Sequence, residues 1–240
     1  SQCAFLSKSL LGYDSYWSFQ GRFAIIKQQR MGSMSFNQVV GYKNLEELTQ
    51  KLKLFAHRTT KKEALDLPDK IYTTRQVDLT STQREHYMME VIEEMDGKVI
   101  IWSRFRYDIR KIKKELAKTY GSGSVVTYYG DTSQEDRDSA IHNFQTNPET
   151  RFFVSNAQTG GRGITLTAAS NVIYYSNDFN LESRKQSEDR CHRIGQHKPV
   201  LYVDLVCPNT VDVHIVKSLL QKDKIANKTL GEEVLEWLKV

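Results

Sequence analysis

The sequence predicts an α/β fold, a doubly wound parallel sheet with helices on both faces. Three observations carry that prediction. Short, wholly apolar runs such as Val99-Ile100-Ile101-Trp102 recur, and they are too uniformly apolar for strands with one wet face. Between them lie longer stretches whose apolar residues return at helical spacing, as Ile109, Ile112 and Leu116 do. From residue 70 onward the two kinds of segment alternate, which is the rhythm of crossovers between parallel strands.

Residues 1–66 are expected to form a helical extension rather than a complete domain. They begin rich in aromatics and glycine and turn helical over 44–55, where Leu45, Leu48, Leu52 and Phe55 share one face. Asn44, with Glu47 three residues on, is the expected N-cap of a capping box. The main lobe is expected over 67–210. Within it, 70–77 alternates like a strand and 82–95 reads as a helix. A buried strand at 98–102 precedes a helix at 107–119, and a strand at 125–129 precedes a helix at 134–144 that turns Ile141 and Phe144 inward. A strand at 151–155 leads through a glycine-rich turn to a strand at 171–175. A helix at 182–193 and a strand at 199–206 follow. The last helix, 211–226, opens an expected brace-and-tail segment over 211–240. No internal repeat or low-complexity tract interrupts the chain.

The 240 residues are 39% hydrophobic and 26% charged, the balance of an ordinary globular chain. The longest apolar runs are far too short to span a bilayer, and no signal-peptide pattern opens the chain, so no membrane partner is expected. Cys3, Cys191 and Cys207 form no CxxC and no even framework, which points to a reducing, cytoplasmic compartment. The net charge of +5 is compatible with a polyanionic partner without requiring one. Residues 51–62 carry five Lys/Arg and no acid. A second cluster holds Arg104, Arg106, Arg110, Lys111, Lys113 and Lys114, balanced by Asp108 alone. A solvated helix face explains such runs as simply as a phosphate-binding surface does.

The most informative stretch is QSEDRCHRIGQ, residues 186–196. On a helix, Gln186, Arg190 and Arg193 stand at i, i+4 and i+7, one stripe of one face. Two neighbouring guanidiniums repel unless an anion or a carboxylate lies between them, and the planar fork of arginine matches a phosphate. A surface helix neutralised by Glu188 and Asp189 is the alternative. This run resembles motif VI of the SWI/SNF-type branch of superfamily-two helicases, Q-x-x-x-R-x-H-R-I-G-Q. The resemblance implies a RecA-like lobe in which Arg190 and Arg193 reach the γ-phosphate of ATP, held with Mg²⁺ mainly by a first RecA-like lobe, while Gln186 organises the site.

Other segments resemble the same family. Residues 155–170 resemble motif V, where the likeness assigns Gln158, Thr159 and Gly160 to DNA and Gly161 and Gly163 to the nucleotide side. Arg162 replaces the apolar residue usual there. A tight strand–helix connection would also account for these glycines. The run KVIIWSRF resembles motif IV, where Ser103 and Arg104 would meet a phosphate. Gly130 and Thr132, in the loop 129–133, resemble the family's helix-start loop, whose amides and hydroxyl suit a DNA phosphate. A plain N-cap at Thr132 or Ser133 is compatible with that role. Phe179 and Asn180 stand where Trp-Asn-Pro is usual; Phe179 could equally be core. Residues 55–70 resemble the hinge between lobes, and 210–222 the brace helix. The short path from 82–87 to the strand at 98 resembles compact phage and bacterial members, implying a bacterial or phage-infected setting.

No G-x-x-x-x-G-K-[ST] occurs, so the likeness implies that the phosphate-cradling lobe lies elsewhere and that this chain is inactive alone. Cys191, His192, His197 and Cys207 match no tetrahedral zinc spacing, and no G-x-S-x-G is present, so no metal ligand is expected. The expected function is the C-terminal motor lobe of an ATP-dependent double-stranded DNA translocase. The alternative is a non-catalytic DNA-binding or scaffold module that kept the fold.

Overall fold

A computed structural model describes residues 10–31, 34–57, 59, 61–77, 81–160 and 163–230. The chain divides into two compact units, residues 10–59 with the end of the last helix, and residues 61–223.

In the smaller unit, helix α1 (Tyr16–Phe23) starts at Ser15, whose side chain accepts from the Ser18 amide at 3.1 Å. Strands β1 (Ala24–Met31) and β2 (Met34–Tyr42) then form an antiparallel pair with an irregularity between Ile25 and Ile26. The sequence reading anticipated only helix here. The missed cue is Gly32-Ser33 between two runs containing Ile25-Ile26 and Val39-Val40. Helix α2 (Leu45–Lys53) follows, and its start corrects the expected capping box. Asn44 sits at φ 54° with no side-chain cap bond and donates instead to the Arg22 carbonyl at 2.9 Å. The carboxylate of Glu47 is taken by the Arg22 guanidinium (2.9 Å from Nε) and the Tyr13 hydroxyl (3.2 Å), which outcompete a local cap.

The larger unit opens with the short helix α3 (Lys61–Ala64) and strand β3 (Lys70–Gln76). It continues through α4 (Ser81–Glu93), β4 (Lys98–Trp102), α5 (Arg106–Tyr120), β5 (Val125–Tyr128) and α6 (Gln134–Thr146). Then come β6 (Phe152–Ser155), α7 (Ala157–Gly160), β7 (Ala169–Tyr174), α8 (Leu181–Glu188), β8 (Val200–Val206) and α9 (Val211–Leu230). The six strands form one sheet in the order β3-β8-β7-β4-β6-β5, and every pairing is parallel.

Two-sided burial is visible residue by residue. Val99 and Ile101 pack with Ile109, Ile112 and Leu116 on one face, while Ile100 and Trp102 pack with Phe144 and Leu166 on the other. The same split separates Phe152 and Val154 from Phe153. This is the α/β, doubly wound arrangement the sequence predicts. From β4 the chain proceeds to β5 on one side, whereas its neighbour β7 leads to β8 on the other. The crevice at the carboxyl ends of β4 and β7 is therefore the topological switch point, where open α/β sheets present their ligand sites.

Helix α8 is shorter than the sequence suggested. It stops at Glu188, and residues 189–195 run as tight turns, with the His192 amide on the Glu188 carbonyl and the Gln196 amide on the Arg193 carbonyl. The buried side chain of Gln196 fastens the turns, donating to the carbonyl of Ala169 (2.7 Å) and accepting from the amides of His197 and Lys198 (3.0 Å each). Gly195 adopts φ 95°, which glycine reaches without strain.

Glycine at 160 answers a packing constraint. A Cβ there would lie 2.7 Å from a Trp102 ring carbon and closer still to the Ser155 hydroxyl. Gly160→Ala should therefore destabilise the lobe by about 1–3 kcal/mol, read from the urea midpoint at unchanged m-value. An unchanged midpoint would show that Trp102 has room to move.

Candidate functional site

The switch-point crevice is lined by loops from three strands. After β4 come Ser103, Arg104 and Phe105; after β6, Asn156, Ala157 and Gln158; after β7, Ser176, Asn177 and Asp178. Ser103 is buried, its hydroxyl 3.2 Å from that of Ser176 and donating to Asp108 at 3.4 Å. Burial pushes the Asp108 carboxyl up, against the Ser103 hydrogen bond that lowers it. The Arg104 amide donates to the Ser176 hydroxyl at 2.8 Å, and its guanidinium lies 5.3 Å over the Phe105 ring. Gln158 is exposed and donates to Asp178 at 3.3 Å. Ser103, Arg104 and Gln158 are thus brought together in one cleft.

Its neighbours in the expected DNA set differ. The Thr159 amide is spent on the Asn156 side chain at 2.8 Å. Gly160 is buried and its amide donates to the Asn156 carbonyl at 2.9 Å. Packing on Trp102 is enough to account for a glycine at this position.

A second loop leaves β5. Arg106 (2.6 Å) and Arg110 (2.9 Å) both pair with Asp131, and Arg137 donates to the carbonyls of Tyr129 (3.1 Å) and Gly130 (3.2 Å). Gly130 is exposed, with Arg106 so near that a Cβ would lie 2.9 Å from its Nη2. Ser133 is the N-cap of α6, accepting from the Asp136 amide at 3.1 Å. The Thr132 hydroxyl instead accepts from the Tyr129 amide at 3.3 Å.

The arginine pair lies in the turns after α8. Arg190 donates from Nε to the Gln186 carbonyl (2.8 Å) and from Nη1 to the Ile164 carbonyl (3.1 Å). Arg193 reaches the same Ile164 carbonyl at 3.5 Å. The two do not form a helical stripe, because the helix ends before either; a shared acceptor brings them together instead. Burial lowers the Arg190 pKa, and the charge of Arg193 lowers it further. Among the described residues neither arginine forms an ion pair. The Gln186 side chain turns to Glu182 at 2.8 Å. Gly163 is exposed at φ 73°, and Gly161 and Arg162 lie outside the described residues. Phe179 is 43% exposed rather than core, and Asn180 caps α8 by accepting from the Ser183 amide at 3.2 Å.

Sequence reasoning missed the groups that hold this loop. Arg184 is buried and bidentate to Asp204 (2.5 and 2.9 Å), with further bonds to Glu188 and Asn177 (2.9 Å each). Its guanidinium lies 3.4 Å from the centre of the Tyr174 ring. Glu188 also accepts from Lys70 (2.9 Å) and Tyr72 (2.8 Å). The available signal was Asp204: an acid inside the apolar run VLYVDLV demands a buried cation. Burial would raise the Glu188 carboxyl, but Lys70 and Arg184 overcome it and hold the pKa at about 2. His192 donates from Nε2 to the Pro68 carbonyl at 2.7 Å, the tautomer a carbonyl acceptor requires, and burial lowers its pKa. Among the described residues no group of three His, Cys, Asp or Glu is placed to hold a metal ion. No described helix is long and apolar enough to cross a membrane.

The parallel sheet with its polar switch-point crevice defines a RecA-like α/β lobe. More particularly, residues 83–195 match the family of the helicase conserved C-terminal domain. The human lymphoid-specific helicase is 46% identical over 96 residues, 40% of this chain and 12% of that protein. The chromatin-remodeling ATPase INO80 of Sclerotinia sclerotiorum is 37% identical over 138 residues, 58% of this chain and 8% of that protein. The crystal structure of the C-terminal part of the Fun30 ATPase domain superposes with a TM-score of 0.51 at 25% identity, covering 59% of this chain and 48% of that one. Over these stretches the chain is similar to the C-terminal lobes of SNF2-type helicase-like ATPases. The chain spans 12% and 8% of the two curated relatives' lengths. Those relatives are human and fungal, and they lend no support to the expected phage or bacterial setting.

The buried charges fix how stability responds to pH. The Glu188 pKa is depressed from 4.5 to about 2, so its stabilisation is present above pH 4.5 and is lost as pH falls toward 2. His192 is depressed below 6.5, so the unfolded chain takes its proton first and stability begins to fall below pH 6.5. Glu188→Gln leaves Lys70 and Arg184 short of a counter-charge and should cost about 3–5 kcal/mol at pH 7, with a flatter acid limb in urea titrations between pH 5 and 2. A variant as stable as the parent at pH 7 would show that the carboxylate is dispensable.

Proposed function

We propose that this chain is the second motor lobe of an ATP-dependent double-stranded DNA translocase of the SWI/SNF type. One observation carries the reading: the guanidiniums of Arg190 and Arg193 converge on the Ile164 carbonyl, and neither forms an ion pair among the described residues. A repelling, partly desolvated cation pair is stabilised by an anion, and a transferring phosphoryl group is the anion that such a lobe meets. ATP bound with Mg²⁺ would supply that phosphoryl group, held mainly by a first RecA-like lobe. Arg190 and Arg193 would neutralise the developing charge from the facing side. Gly163, at a positive φ in the loop before Ile164, keeps that approach free of side-chain bulk. Ile194, 72% exposed between Arg193 and Gly195, suits a face that another body covers.

In the same reading, Arg104, Gln158 and the loop of Gly130 and Thr132 contact the DNA backbone, with Ser103 holding the Arg104 loop through Ser176. Phe179 and Asn180, next to the crevice loop Ser176–Asp178, border that track. Contacts to phosphates carry no base code, so binding is sequence-independent and salt-sensitive. Mutual closure of the two lobes brings the arginines to the nucleotide and shifts the DNA grip, which couples hydrolysis to stepping.

Arg193→Ala in the assembled two-lobe ATPase should reduce DNA-stimulated hydrolysis by ~10³-fold or more while leaving DNA affinity within a factor of two. Turnover retained in that variant would sink the arginine-finger role. For the DNA track, gel-shift affinity for a random duplex should fall steeply between 50 and 200 mM salt, roughly as a contact with several phosphates requires. Replacing Arg104 with alanine should shallow that salt slope by about one. A flat salt response would remove backbone binding from the proposal.

A further inference from the structure

The arginines at 190 and 193 are flanked by residues that all reach one other segment. Lys61 of α3 pairs with Asp189 at 2.6 Å. Lys70, the first residue of β3, donates to Glu188 at 2.9 Å and lies 3.9 Å from Asp189. Tyr72 donates to Glu188 at 2.8 Å, and His192 donates to the Pro68 carbonyl at 2.7 Å. Residues 188, 189 and 192 thus bind a stretch of twelve residues, 61–72, that runs into the edge strand of the sheet. Arg190 lies between these anchors and Arg193 directly follows the last of them, and both side chains reach the Ile164 carbonyl.

From this we infer that segment 61–72 is a clamp that positions the Arg190–Arg193 loop, with Lys61, Lys70 and His192 as its positioning residues. The inference rests on the proposed phosphate role of the two arginines. The contacts explain why tight turns, rather than a continued helix, can hold two guanidiniums at one carbonyl. Beyond Glu188 the loop has few helical bonds of its own, so its geometry is set by partners outside it. A shift of the incoming segment pulls on positions 189 and 192, one on each side of Arg190. The same contacts make the segment a route by which a movement of the preceding chain changes the setting of the arginines. Lys61–Asp189 is half exposed and adjustable, whereas Lys70–Glu188 is largely buried and fixed. His192 supplies the third point, and among the described residues its buried Nδ1 has no hydrogen-bond partner, so the ring is held through Nε2.

Two readouts test this on the 240-residue chain and on the assembled ATPase. In hydrogen exchange of the chain alone, Lys61→Ala combined with His192→Ala should speed exchange of the amides at 192, 193 and 196 about tenfold, with 98–102 unchanged. Lys61→Arg should exchange like the parent. No local change, or an equal rise across the lobe, overturns the clamp. In the assembled ATPase, Lys61→Ala alone, a surface change that spares folding, should lower kcat several-fold at unchanged KM for ATP. On a background lacking both guanidiniums, Arg190→Ala with Arg193→Ala, it should add nothing, since it acts only through the two arginines. An additive loss overturns the positioning role. If Arg193→Ala itself has no effect on turnover, the phosphate role fails while the exchange result still decides the clamp.

Discussion

The placement of Arg184 is the constraint on which the rest of the site depends. Its guanidinium is buried, bidentate to Asp204 of β8, bonded to Glu188 one turn on, and stacked at 3.4 Å on Tyr174 of β7. A charge so deep is tolerated only when each of its donors has an acceptor and each facing carboxylate has a cation. Glu188 meets that condition through Lys70, which ties β3 into the same group. Three strands and one helix must therefore be in register at once. Such a network adds little net stability over an apolar core of equal volume, but it penalises every arrangement that leaves one member alone. Its product is position: with α8 pinned at Arg184 and Glu188, the turns that follow start from a fixed point.

Much of this architecture could be read from the chain, because two-sided burial leaves a plain mark. The run 98–102 has no polar residue except Lys98 at its edge, and the strand Lys98–Trp102 follows it residue for residue. Ile109, Ile112 and Leu116 repeat at helical spacing and are fully buried. What could not be read was decided by residues distant in sequence. Nothing between 182 and 193 breaks a helix by propensity, yet α8 stops at Glu188, where Gln196 and the carbonyls of 167–169 compete for the chain. At Asn44 a local pattern promised a capping box, and Arg22, twenty-five residues before Glu47, took the carboxylate. Gly160 looked like a loop glycine for close backbone approach; the approach is real, but it is made by Trp102 from inside.

The candidate site divides along the same line. Residues that motif likeness singled out separate into those whose polar groups are already committed and those with capacity left. Thr159, Gly160, Thr132 and Asn180 use their amides or side chains to shape their own loops. Arg104, exposed beside Phe105, and the pair Arg190 and Arg193 form no ion pair among the described residues. The first group gives the loops shape, and the second is the group to which the proposed function assigns the chemistry. A sequence pattern cannot separate the two, because both kinds of residue are the same polar types in the same loops.

That division explains how two like charges can be kept close at all. Repulsion between Arg190 and Arg193 would ordinarily drive their side chains apart into water, at a small cost in rotamer freedom. Here Arg190 is held at two points, by the Gln186 carbonyl on Nε and the Ile164 carbonyl on Nη1, so leaving would break two hydrogen bonds at once. Arg193 meets the same carbonyl from the other side of the turn. The carbonyl dipole offsets part of the repulsion, and the depressed pKa of Arg190, from burial first and Arg193 second, marks what remains. A site with residual repulsion binds an anion better than a site already neutralised, because the ligand's charge removes a cost as well as making hydrogen bonds. Under the proposed phosphate role, a carboxylate ion-paired with both guanidiniums would relax the loop and remove that advantage, so stability and phosphate affinity would make opposite demands on it.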